Sequence, residues 1–143
     1  MDSLRRQLYL TYRVMRDRLD EGMRAAGASM TQWIVLKTVD DSPDLSQRQL
    51  AERVLVTGST LTHHLDRMEA DGLIVRRRDA HDRRIIRVGL TAAGKHRQAE
   101  LDAIVATTDE HVAGLLSARD AATLNRLLHQ LQQQLTDSEG ERR

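Results

Sequence analysis

The sequence contains no cysteine, no phenylalanine and a single proline, Pro43. The missing thiols exclude disulfides, thiolate nucleophiles, thiol redox sensing and cysteine-based zinc sites, and they suit a reducing compartment. No stretch approaches the ~18 apolar residues that a membrane span requires. The opening segment Met1–Arg6 runs into a charged amphipathic pattern with no apolar signal region, so the expectation is a cytoplasmic protein without membrane association. Catalytic signatures are missing too: there is no G-x-S-x-G, P-loop, G-x-G-x-x-G or H-E-x-x-H. His63 and His64 are adjacent and on a helix diverge by about 100°, so they cannot share a metal by themselves, and the other histidines are scattered. The chain reads as a protein that is not an enzyme and that needs neither metal nor cofactor.

What is present is a segregated charge. The formal net charge is only +1, yet Arg76–Arg97 holds eight basic side chains against Asp79 and Asp82, while from Gln98 onward four arginines face eight acids. A basic middle beside an acidic tail implies that one region meets a polyanion.

At 143 residues the chain suits one structural domain, which at that size buries roughly 70% of its unfolded surface. Helical periodicity dominates. Leu4, Leu8, Tyr12, Met15 and Leu19 predict a helix from about Ser3 to Ala25, stopped by Gly27. Ser29 with Gln32 predicts a capping box ahead of Trp33, Ile34, Leu36, Lys37 and Val39, and Ser46 with Gln49 repeats the device before Leu50, Ala51 and Val54. Thr57 caps a fourth helix that turns Leu61, Leu65 and Met68 inward and ends at Asp71-Gly72. Then Leu73–Arg78 and Ile85–Leu90 are β-branched and partly alternating, which predicts a hairpin around the polar stretch 79–84. Helical spacing returns from Thr91 and again after Ser117. The predicted order is α-α-α-α-β-β-α-α, mainly helical with a small β-hairpin wing.

The third and fourth helices, joined by Leu55-Val56-Thr57, form a helix-turn-helix, whose second helix belongs in a major groove of double-stranded DNA. With its apolar residues turned inward, Gly58, Ser59, Thr62, His63 and Asp66 face outward. Ser59, Thr62 and His63 can bond phosphates or base edges, Gly58 permits close approach, and the helix N-terminus favours phosphate. The hairpin is a second reading head: Arg83 and Arg84 at its tip suit the adjacent minor groove. Asp82, two residues before Arg84, can hold its guanidinium by a bidentate bond. Arg48, Arg76 and Arg78 are candidates for the DNA backbone. A wing that docks protein rather than DNA is the alternative, and the arginine density on the wing argues against it.

These residues also carry a family resemblance. Ser46–Arg53 (SQRQLAER), Ser59–Ile74 (STLTHHLDRMEADGLI) and Asp79–Gly94 (DAHDRRIIRVGLTAAG), with Gln32-Trp33 upstream, resemble the multiple-antibiotic-resistance regulator (MarR) family in order and spacing, so that about the whole chain is covered. The resemblance implies a homodimeric winged-helix transcription factor, usually a repressor, often released from DNA by a small aromatic or phenolic ligand. By position, Ser59, Thr60, Thr62 and His63 match recognition-helix contacts, with Thr57 at the same helix start, and Asp82 and Arg84 match the paired residues of the wing. His63 departs from the arginine found in many members. Any ligand pocket would lie between the dimer helices and the reading unit, where Tyr9, Tyr12, Arg16, Trp33 and His64 are candidates, although Trp33 also reads as plain core.

The first helix and the last two carry apolar faces that a lone winged helix cannot cover, so a second copy of the chain is expected to bury them. This divides the chain into an N-terminal dimerisation helix (1–28), a winged helix-turn-helix (29–97) and C-terminal dimerisation helices (98–143). The implied operator is a pseudo-palindrome with half-sites about one turn, ~34 Å, apart.

Overall fold

The structure is a computed structural model, which describes residues 3–54 and 56–140. Its elements run α1 (Leu4–Ala25), α2 (Met30–Asp41), α3 (Gln47–Val54), α4 (Gly58–Ala70), β1 (Ile74–Arg78), β2 (Ile86–Leu90), α5 (Ala92–Ala113) and α6 (Ala118–Gly140). The predicted order is observed. Leu55, the first residue of the expected helix-turn-helix turn, lies outside the described residues. The chain forms two compact units, Met1–Val105 and Ala106–Arg143.

In the first unit, side-chain caps set most helix starts. Ser3 accepts from Arg6 N, Ser29 from Gln32 N and Thr57 from Thr60 N. The Ser46 box is reciprocal: Gln49 N donates to Ser46 Oγ (3.1 Å), and Ser46 N donates to Gln49 Oε1 (3.0 Å). The box expected at Ser29 is only half formed, because Gln32 Oε1 is buried without a hydrogen-bond partner. The core joins Val35, Leu36 and Val39 of α2 to Leu50 of α3 and Leu61, Leu65 and Met68 of α4, with Ile74, Val88, Met23 and Leu101 closing it. Val35 rather than Ile34 takes the fully buried position on α2. Trp33 packs against this core and donates from Nε1 to Asp102 Oδ1 (2.7 Å), which ties α2 to α5.

The wing is an antiparallel pair in which Arg76 faces Val88 and Arg78 faces Ile86. A third short segment, invisible in the hydrophobic pattern, joins its edge: Ser46 bridges to Arg87, and Val88 N donates to Leu45 O (3.1 Å). The entry to α5 is welded to the turn before β1. Thr91 Oγ1 donates to Gly72 O (2.6 Å) and accepts from Gly94 N (2.9 Å), while Gly72 supplies the positive φ of that turn.

In the second unit, Ser117 caps α6 by accepting from Asp120 N (3.1 Å). No described residue of α6 is buried, and Leu124, Leu127, Leu128 and Leu135 are exposed along it.

Candidate nucleic-acid interface

The start of α4 is a cluster of hydroxyls. Thr57 Oγ1, besides capping Thr60 N, donates to the Thr60 hydroxyl (2.8 Å) and lies 3.3 Å from Ser59 Oγ. Ser59, Thr60 and His63 are exposed on the face opposite the buried Leu61, Leu65 and Met68. Thr62 is half-buried and engaged on both sides: it donates to Gly58 O (2.9 Å) and accepts from Gln47 Nε2 (3.0 Å), so it pins α4 to α3. A Cβ built on Gly58 would meet nothing within 4 Å, so the space outside this turn is open.

The wing loop is organised by Asp79, the first residue of the polar stretch that joins the two strands. Asp79 accepts backbone N–H bonds from His81 (2.8 Å) and Asp82 (3.0 Å) and the Arg87 Nε bond (2.9 Å). Chiefly through the Asp82 and His81 amides, and then through Arg87, its carboxyl is held down to about 2. The available signal was an acid followed two residues later by the turn, the pattern of an Asx-turn. Asp82 in turn accepts from the Arg84 guanidinium, Nε to Oδ1 and Nη2 to Oδ2, both at 3.1 Å, and from Arg84 N (3.0 Å). The Arg84 side-chain bonds, followed by the amide, lower the Asp82 pKa. The expected bidentate pair is therefore formed, on a fully aqueous tip where Arg83 is also exposed.

Between α4 and the wing runs an open groove of about 1010 Å³, lined by Gln47 and Arg48 of α3, Gly58 and Thr62 of α4, and Arg84 and Arg87 from the wing. Arg48 is exposed beside Glu52 at 3.5 Å. The other two backbone candidates are occupied within the protein. Arg78 Nη1 donates to Arg83 O (2.8 Å) and braces the tip. Arg76 reaches α4 instead, Nη2 to Asp66 Oδ1 (2.6 Å) and Nε to Glu69 Oε2 (2.5 Å). Burial alone would lower the Arg76 pKa, but the bonds to Glu69 and Asp66 outweigh it and raise it.

The candidate ligand residues are spread out. Trp33 is committed to Asp102, Arg16 lies near Asp17 (3.5 Å) and Asp20 (3.8 Å), Tyr9 and Tyr12 are exposed, and His64 is half-buried with its ring against that of His63. A second hollow of about 390 Å³, between the end of α2 and the strands, is lined by other residues, among them Asp40, Arg77 and Lys95. Among the described residues no group of three His, Asp or Glu could hold a metal, and no helix is long and apolar enough to cross a membrane.

The sequence pattern of the MarR family matches residues 26–85. Among solved structures, wild-type MarR from E. coli in its apo form superposes with a TM-score of 0.84 at 23% identity, covering 92% of this chain and 97% of that one. The transcriptional repressor CouR bound to a 23-mer DNA duplex gives 0.79 at 24% identity, over 90% of this chain and 92% of CouR. The Mycobacterium tuberculosis MarR family protein Rv2887, in complex with salicylic acid, gives 0.73 at 25% identity, over 92% and 97%. Residues 26–85 thus match the MarR family, and the six helices and two-stranded wing among the described residues have the winged-helix fold of the MarR structures on which the chain superposes.

Proposed function

We propose that the protein is a sequence-specific regulator of transcription, a repressor that binds a pseudo-palindromic operator as a homodimer. One observation carries this reading: Arg84, posed by Asp82 on the wing, stands across a single open groove from the N-terminal turn of α4. A strand of DNA running along that groove would place α4 in the major groove and the wing in the adjoining minor groove. Ser59, Thr60 and His63 then read base edges or phosphates, Thr57 and Thr62 hold the turn that presents them, Arg83 and Arg84 enter the minor groove, and Arg48 meets the backbone. CouR, which shares this fold, is bound to a DNA duplex.

The homodimer is supported by apolar side chains left uncovered in each unit, Leu4, Tyr12 and Val14 on α1 and Leu124, Leu127, Leu128 and Leu135 on α6. A second copy would cover them and supply the other half-site reader. A small aromatic acid or phenol is proposed as the releasing ligand, on the precedent of salicylic acid in Rv2887, with Tyr12, Arg16, Trp33 and His64 as its candidate contacts. No enzymatic step is assigned.

The test is selection of bound sequences from a random duplex pool with the wild type and with His63→Ala. A two-fold symmetric consensus, altered at matching positions in both half-sites by the variant, is the expected result. Enrichment of no sequence would contradict the reading.

A further inference from the structure

The chain passes from α4 into the wing through the turn 71–73, built on the left-handed Gly72 (φ 73°). Backbone bonds hold the turn (Gly72 N to Glu69 O, Leu73 N to Met68 O), and Ile74 and Val88 pack beside Leu61, Leu65 and Met68 at the base of the wing; further out along β1, Arg76 adds a polar tie to α4. Strand alternation puts Arg76 on the same face of β1 as the buried Ile74, the face turned toward α4. Asp66 and Glu69, three residues apart, share one side of α4. Across that gap a single guanidinium serves both carboxylates, at 2.6 Å and 2.5 Å, with its side chain only 22% exposed.

We propose that Arg76 is a positioning residue: by spanning Asp66 and Glu69 it sets the angle of the wing to the reading helix, and so the operator specificity, without touching DNA. The inference rests on the DNA-binding reading above. A five-residue strand is roughly 17 Å long, so a tilt of about ten degrees at its base carries the tip ~3 Å, about the length of one hydrogen bond. That displacement is enough to uncouple Arg84 from a groove that α4 has already registered. Arginine suits the task because its planar fork fixes two acceptors in direction as well as distance, which an ammonium cannot do. Half-burial makes the brace stiff, since an unpaired charge there is costly and the open arrangement is correspondingly rare.

The acidic side gives the decisive experiment, because charge and position predict opposite signs. Removing Asp66 or Glu69 takes negative charge from a DNA-binding face, and if charge alone mattered, affinity for every duplex would rise. Under the positioning role, Asp66→Ala with Glu69→Ala binds the duplex selected by the wild type about tenfold more weakly, while binding to random duplex, and its salt dependence, is unchanged or stronger. Alanine is a strong helix former, and the Asp66 side chain is 58% exposed, so Asp66→Ala alone supplies a folded variant with the same direction of effect should the pair unfold. A folded variant that binds the selected duplex as tightly as the wild type, or more tightly, overturns the proposal. So does Arg76→Ala weakening selected and random duplex equally with a salt slope lower by about one, the signature of a phosphate contact. If the wild type binds no duplex at all, it is the DNA-binding reading that fails.

Discussion

Arg84 and Asp82 form a bidentate pair on a side chain that is 90% exposed, two bonds of 3.1 Å holding a guanidinium that nothing else in the protein covers. So exposed a pair contributes little to stability. Its effect is to restrict the poses of an arginine that would otherwise lose rotamer freedom on meeting a partner. Arg84→Ala is therefore expected to cost about 1–3 kcal/mol of operator affinity, measured by fluorescence anisotropy, with an unchanged circular dichroism spectrum and melting temperature. Unfolding of the variant would contradict the wing assignment.

The same separation of reading from stability does not hold at Gly94. A Cβ there would stand 1.9 Å from Leu73 O, a backbone atom that cannot swing aside. Gly94→Ala must push the start of α5 away from the turn that launches the wing. The expected loss is about 3 kcal/mol, read as a fall of roughly ten degrees in melting temperature. An unchanged melting temperature would mean that α5 does not pack on that turn.

Asp79 predicts an acid limit for the wing. Its pKa is depressed from 3.8 to about 2, so its contribution is complete above pH ~4 and is lost as pH falls through the folded value. The amide signals of His81 and Asp82 should keep their native shifts at pH 4 and lose them together near pH 2. Asp79→Asn should remove this titration, and a wing that disorders at the same pH in that variant would contradict the assignment.

The apolar face of α6, on which the half-buried Leu131 lies three residues beyond the exposed Leu128, makes a separate prediction about assembly. Leu128→Asp with Leu131→Asp should give monomers in sedimentation and abolish operator binding, because a single half-site reader loses the avidity of the pair. A surviving dimer would move the interface elsewhere.

The element order was legible because each element carries a local signal. Ser29, Ser46 and Thr57 announce helix starts, Gly72 ends α4, and the change of period after Leu73 marks the hairpin. Of the site, the Asp82–Arg84 pair was equally legible, since both partners lie two residues apart in one loop. What escaped was long-range. That Arg76 turns to Asp66 and Glu69 rather than outward depends on which face of β1 meets α4, and that Thr62 is bound by Gln47 depends on how two helices cross. The segment at Leu45 and Ser46 joins the sheet although its residues carry no alternation of their own. In each case the determining partner is set by packing, on which composition and periodicity are silent.

The claim on which the rest depends is that the arginine-bearing wing and α4 together grip a polyanion. It is tested most directly by titrating a random duplex with the purified protein over a range of salt concentrations. The account predicts that the logarithm of the binding constant falls linearly with the logarithm of salt, with a slope of several units that shrinks in Arg83→Ala and Arg84→Ala. Binding that does not respond to salt, or no binding in dilute buffer, would contradict it.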